Sequence, residues 1–155
     1  MDRGTPATKP GAIKWTVPEG WREEAGSGMR LATFTVDRSG SMGTCTVVSL
    51  GGAAGGLEAN VRRWLGQLQI DVPPRKELFA FLERQPRIHT EGGYDGALVD
   101  MTPLGNQEPD ATSMLAALFT IDGATVFLKL TGPQSLLKEE KDSFSKLCQS
   151  LRHGP

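Results

Sequence analysis

Asp37, Ser39 and Ser41 have the residue types and the spacing of a candidate metal site. They lie in the string DRSGS, directly after the strand-like run LATFTV. One carboxylate and two hydroxyls at alternating positions offer the oxygen ligands that Mg²⁺ prefers. The same residue types also form tight turns, because Asp and Ser side chains bond to nearby backbone. The string therefore predicts either a hairpin turn or a magnesium site.

The other residues that could support catalysis are few. His153 lies close to the C-terminus, and His89 with Glu91 forms an H-x-E spacing that often occurs on strands by chance. The run GGAAGG lacks the Lys-Ser or Lys-Thr of a phosphate loop, and Glu58 after it would repel a phosphate. No nucleophile elbow, C-x-x-C pair or zinc-protease motif is present. We therefore expect no enzyme and no cofactor.

Charge is unevenly distributed along the chain. Positions 62–87 contain six basic and three acidic side chains, whereas positions 91–110 contain five acidic side chains and no Lys or Arg. The whole chain has a formal net charge of -1 and a pI of about 6.1, so no general attraction to nucleic acid is expected. Such charges are typical of an ordinary solvated face, but a polarised surface can also steer a protein partner or pair with a second copy of itself. The residues expected to form this partner surface are Arg62, Arg63, Arg75 and Lys76.

Hydrophobic periodicity predicts three helices. In the first, over 57–69, apolar residues recur at the spacing of one helical face. The members of this stripe are Leu57, Val61, Trp64, Leu65 and Leu68. A second helix is predicted over 75–83 and a third over 133–151, where Pro133 suits the first helical position. The apolar face of the third helix includes Cys148.

Short β-rich runs predict the strands of a sheet. They cover 13–17, 29–36, 44–50, 86–90, 94–102, 113–121 and 125–131. Asp122-Gly123 joins the last two as a hairpin turn. The order is βββ-α-α-ββββ-α, and the hairpin-length connections favour a largely antiparallel sheet of six to seven strands. SMLAALFTI is apolar on both faces, so we expect an α+β fold with helices on both faces of the sheet.

The chain is expected to form one domain over 13–152, preceded by a disordered leader or linker over 1–12. Its three tryptophans are expected in the core or at its edge: Trp15, Trp21 and Trp64. Cys45 and Cys148 are expected to be buried, and whether they pair stays open. No apolar run approaches the roughly 20 residues of a membrane span.

Three stretches resemble the PsbP-like fold superfamily: WTVPEGW, GGLEANVRRWLGQL and ATVFLKLTGPQSLLKEEKDSFSKLCQSLR. The resemblance covers roughly 13–152. This superfamily includes photosystem II extrinsic proteins, a Ran-binding nuclear import factor and many small bacterial proteins. The resemblance implies a small bacterial member that acts as a non-catalytic protein-binding or assembly module. It transfers no functional residue to this chain.

Two other functions stay open. DRSGS is similar to the DxSxS motif of von Willebrand factor A domains, which implies a Mg²⁺-dependent adhesion domain built on a parallel sheet. Alternatively, a covered antiparallel sheet can hold a small apolar ligand against its helices. The bacterial relatives are often exported, which with the polar leader favours an extracytoplasmic or lipoprotein location; the cytoplasm is the alternative. Partner identity and oligomeric state are not indicated.

Overall fold

The structure is a computed structural model and describes residues 13–38, 40–51 and 56–154. Nine strands and three helices are found in this part of the chain. In chain order they are β1 (Ile13–Lys14), β2 (Trp21–Ala25), β3 (Arg30–Arg38), β4 (Ser41–Gly51), α1 (Gly56–Gln67), α2 (Arg75–Glu83), β5 (Arg87–His89), β6 (Asp95–Asp100), β7 (Thr112–Ile121), β8 (Ala124–Pro133), α3 (Gln134–Gln149) and β9 (Arg152–His153). The predicted leader over 1–12 lies outside the described residues.

Seven strands form one sheet in the order β2-β3-β4-β8-β7-β6-β5. Every neighbouring pair in it is antiparallel. β7 and β8 lie at its centre and are buried on both faces, so they contribute side chains to two cores. The core on one face includes Phe144 of α3, and the core on the other includes Trp64 of α1 and Phe81 of α2. The predicted α+β class, antiparallel sheet and helices on both faces are confirmed.

The turns of this sheet follow from their residue types. Asp122 and Gly123 both have positive φ, 51° and 80°, which gives the two-residue turn that matches strand twist. Arg38 pairs with Ser41 across a second two-residue turn, where Gly40 has a φ of 82°. Asp37, Arg38 and Ser41 therefore lie on a β-hairpin, as the turn interpretation predicted.

The sequence did not predict two of the observed strand pairings, that of β2 with β3 and that of β1 with β9. β2 is an edge strand with only Trp21 buried, and its charged outer positions give no apolar alternation. The first strand is shorter than predicted, at Ile13–Lys14, and pairs with β9 rather than with the main sheet. β9 lies at the end of the chain, beyond the predicted last helix. Pairing between segments so far apart in sequence leaves no local signal.

A buried carboxylate connects β2 and β3 to α3. Glu140 of α3 has a side chain only 4% exposed, and its Oε1 accepts a hydrogen bond from Trp21 Nε1 at 2.8 Å. Its Oε2 accepts another from Arg38 Nε at 2.8 Å. Trp21 also packs against Phe34, with ring centroids 6.0 Å apart. This network fixes the edge strand to the helix, because both carboxylate oxygens have a charged or aromatic N–H donor.

The tryptophans and cysteines lie in the core or at its edge. Trp21 and Trp64 are buried, and Trp15 is half-buried with its ring 6.2 Å from that of Phe34. Cys45 and Cys148 are both free and buried in the core under α3. Burial raises the pKa of both thiols, which keeps them protonated.

Candidate interaction surface

α1 places its apolar face on the sheet and its arginines towards solvent. Trp64 is 1% exposed and meets Phe127 of β8 edge to face, with centroids 5.8 Å apart. On the outer side, Arg62 Nε lies 3.0 Å from Glu58 Oε2, one helical turn away. Arg63 donates a hydrogen bond to the side-chain oxygen of Asn60. Of these two arginines, Arg62 therefore pairs with a charged side chain and Arg63 with a neutral one.

α2 presents an exposed aromatic ring beside a cation. Leu78 and Phe81 are buried against the sheet, whereas Phe79 is 40% exposed. The guanidinium of Arg75 lies over the Phe79 ring, 5.1 Å from its centroid. Lys76 is exposed next to it. Two cations in the first turn oppose the helix dipole, so helix stability does not explain them.

The structure divides the four expected partner residues into two pairs. Arg62 and Arg63 lie on α1, and Arg75 and Lys76 lie in the first turn of α2. Among the described residues, no hydrogen bond or ion pair connects one pair with the other. The sequence expectation that all four form one partner surface thus stays a prediction.

Lys129 and Arg30 are near Arg63, and sequence reasoning did not select them. Lys129 lies on β8 with its Nζ 5.9 Å from the centroid of the Trp64 ring. Partial burial lowers the pKa of Lys129, and the positive charges of Arg63 and Arg30 lower it further. The one feature of the sequence that could have identified Lys129 is its position as a single lysine inside the apolar run TVFLKLT.

Asp37 and Ser41 of the alternative metal site lie on the two strands of a hairpin. Asp37 is exposed and pairs with Met42, and Ser41 pairs with Arg38 on the same antiparallel ladder. Ser39 lies outside the described residues. Within the part of the chain described, no three His, Cys, Asp or Glu side chains come together as a metal site. The parallel sheet and following helix of an adhesion domain are replaced here by an antiparallel strand pair.

Much of the acidic segment is exposed, but one carboxylate is partly buried. Asp100 lies at the end of β6, and its Oδ2 is 2.8 Å from Lys141 Nζ of α3. Its Oδ1 accepts hydrogen bonds from the backbone and hydroxyl of Thr102. Burial alone would raise the pKa of Asp100, but the bonds from Lys141 and Thr102 outweigh it and lower the pKa. His89 is exposed, with its Nδ1 2.6 Å from Asp95 Oδ1.

Two surface grooves bear on the ligand-carrier interpretation. The larger, of about 700 Å³, lies between the end of α1 and the loop before β7, and its lining includes Ile70 and Asn106. The smaller, of about 320 Å³, is lined mainly by apolar side chains that include Phe81 and Leu104. Both grooves lie beside the helices rather than between helix and sheet, where the carrier interpretation places its ligand.

An antiparallel sheet with a helix layer on each face defines the structural class of this chain, and solved structures share it. The solution structure of cyanobacterial PsbP (CyanoP) from Synechocystis sp. PCC 6803 matches with a TM-score of 0.51 over 98% of each chain, at 10% sequence identity. The chain therefore has a PsbP-like fold, as its resemblance predicted. No family model and no curated protein matches the sequence. Among the described residues, no helix is long and apolar enough to cross a membrane.

Proposed function

We propose that this chain is a non-catalytic module that binds a protein partner through the outer surface of α1 and α2. The observation that carries the proposal is the exposed Phe79 ring with Arg75 over it and Lys76 beside it. Interface centres are enriched in aromatic residues and arginine, and a few such side chains supply much of the binding energy. We include Arg62 and Arg63 of α1 in this surface because the charge pattern of the sequence groups them with Arg75 and Lys76.

Two further lines support a binding role over catalysis. The PsbP-like fold is shared with extrinsic and assembly proteins in the superfamily that the sequence resembles. The sequence also offers no nucleophile–base pair, and His89 is exposed beside Asp95 rather than in a cleft with a nucleophile. By the same resemblance we place the protein outside the cytoplasm, which fractionation of its native cells would test.

Partner capture with charge-reversed variants tests the surface. The variant Arg75→Glu with Lys76→Glu and the variant Arg62→Glu with Arg63→Glu each change the net charge by the same amount. The matched control is Lys138→Glu with Lys146→Glu, on exposed positions of α3 across the sheet. Each protein is cross-linked in extract of the native organism, and bound proteins are quantified by mass spectrometry.

The expected result is loss of the same partner from both α1 and α2 variants, with retention by the α3 control. Phe79→Ser is expected to weaken capture as well, because it removes the apolar centre of the surface without changing charge. Circular dichroism checks that every variant is folded. Unchanged capture by the α2 double variant would show that the partner does not use this surface.

A further inference from the structure

Half of one sheet face has no helix over it among the described elements. α1 and α2 pack on β6, β7 and β8 through a core that includes Val99, Met114 and Phe127. The same face continues across β4, β3 and β2 as two rows of paired side chains. These are Thr131, Thr44, Thr35 and Arg22 in one row, and Lys129, Thr46, Thr33 and Glu24 in the other. We call this surface the threonine face.

Three cations lie near one another where the threonine face joins α1. They are Lys129 on β8, Arg63 on α1 and Arg30 at the start of β3. Arg63 and Arg30 are close enough to disfavour the positive charge of Lys129. Arg30 pairs in register with Val48, one side-chain repeat along β4 from Thr46, and Thr46 pairs with Lys129. We call these residues the cation cluster.

No member of the cation cluster has a carboxylate partner among the described residues, whereas other cations of the chain do. Arg38 pairs with Glu140, and Lys141 pairs with Asp100. The acidic residues on the threonine face are Glu24, on the edge strand, and Asp37, at the far end of β3. Like charges held together without a counterion disfavour the folded chain, so the cluster is better explained by a negatively charged ligand.

The shape of this surface favours a chain segment over a small ion. β3 runs for nine residues, or roughly 30 Å, beneath the threonine face. Exposed methionines lie towards its two ends, with Met29 64% exposed beside Arg30 and Met42 57% exposed opposite Asp37. A groove of about 440 Å³ is lined by Ser27, Met29, Arg30 and Val48, next to the cation cluster. Apolar contacts at both ends suit an extended peptide, whose carboxylates would meet the cations.

We propose that the threonine face binds an acidic segment of a protein partner, whose carboxylates pair with Lys129, Arg63 and Arg30. The proposal rests on the proposed function and names the chemistry of the partner. The hydroxyls of Thr46 and Thr33 donate to carboxylate oxygens between the charges, and an apolar side chain of the segment enters the groove beside Met29. Because Lys129 is half-buried, its pairing is less screened by salt than that of an exposed lysine.

The test uses a fluorescein-labelled peptide of about ten residues with alternating glutamate and leucine, a length that spans β3. Fluorescence anisotropy measures its binding to the wild type, to Lys129→Met and to Arg30→Gln. Methionine keeps the apolar stem of Lys129 near Trp64 and removes only its charge. The matched control is Arg87→Gln, on β5 at the opposite edge of the sheet. Unlabelled pyrophosphate is titrated as a competitor.

The expected result is that Lys129→Met and Arg30→Gln each weaken peptide binding about tenfold, with Arg87→Gln unchanged. The side-chain pKa of Lys129, followed by NMR, should rise when the peptide binds. Equal binding by Lys129→Met and the wild type would overturn the proposal. Pyrophosphate that binds the cluster while the peptide does not would overturn it in favour of a small-anion site.

The proposed function and this inference fail in different ways. If Arg75→Glu with Lys76→Glu loses the captured partner while Lys129→Met keeps both partner and peptide, α2 binds the partner and the threonine face does not. If Lys129→Met loses both peptide and partner while the α2 variant keeps the partner, the threonine face is the binding surface and the α2 placement is wrong.

Discussion

Replacing Glu140 with leucine tests whether the buried carboxylate holds the edge strand to α3. The substitution introduces an apolar side chain of similar size and removes both acceptors of the network. Trp21 then has a buried Nε1 with no partner, because Trp21 is only 7% exposed. The side chain of Arg38 is 41% exposed and can turn to water, so losing its ion pair adds little to the destabilisation.

The expected destabilisation follows from the indole N–H. A buried donor left without an acceptor costs about 1–3 kcal/mol of unfolding free energy. In a domain of this size each kcal/mol shifts Tm by roughly 2–4 °C. Trp21→Phe removes the donor as well, so the double variant has no orphaned N–H. The double variant should therefore be less destabilised than the sum of the single variants, by about 1 kcal/mol or more.

Urea unfolding of the wild type, both single variants and the double variant measures this coupling. Trp fluorescence and circular dichroism should give the same midpoint in each case, which supports the two-state analysis. Lys138→Leu, on an exposed position of the same helix, is the control for adding a leucine. Additive losses, or a Glu140→Leu protein within about 0.5 kcal/mol of the wild type, would refute the reasoning.

Four other substitutions test three separate features. Asp100→Asn should lower the unfolding free energy at neutral pH. The pKa of Asp100 is lower in the folded chain than in the unfolded chain, where it is about 3.9, so its ionised form stabilises the fold at pH values above that unfolded-state pKa. That difference should vanish in urea unfolding as pH falls through the folded-state pKa, and a difference unchanged at acid pH would contradict it. Gly96→Ala should cost about 1–3 kcal/mol or more, since a Cβ there would lie 2.4 Å from Phe119 Cδ1; an unchanged thermal midpoint would argue against that packing. Gly123→Ala should destabilise by about 1–2 kcal/mol because its φ is 80°, whereas Gly66→Ala, inside α1 with open space around its Cβ, should stabilise; the same sign in both melts would refute the backbone argument.

The sequence predicted most of the fold because its strongest signals are local. The two-sided apolar run of β7, the Asp122-Gly123 turn and the stripe of α1 each determine an element within a short window. α2 begins and ends where the pattern predicted. β2 was missed because Trp21 is its one buried residue, and the pairing of β1 with β9 depends on a contact between the two ends of the described chain.

The cation cluster could not be predicted in the same way. Arg30, Arg63 and Lys129 are separated by more than thirty positions at each step, and their approach depends on strand order and register. The charge pattern over 62–87 identified Arg63 but grouped it with Arg75 and Lys76, which lie on another helix. A window along the sequence gives the net charge of one segment, whereas the charge of a surface comes from residues on several strands and helices.

The placement of charge in this fold separates stabilising from interacting residues. Arg38 and Lys141 each pair with a carboxylate that is itself mostly buried. Removing either cation would leave Glu140 or Asp100 buried without its ion pair, which lowers the stability of the fold. Arg30, Lys129, Arg75 and Lys76 have no such partner among the described residues, and their charges oppose either one another or a helix dipole. Neutralising the second group should leave the fold as stable or more stable, so the interaction that we propose for these residues is measured by binding rather than by unfolding.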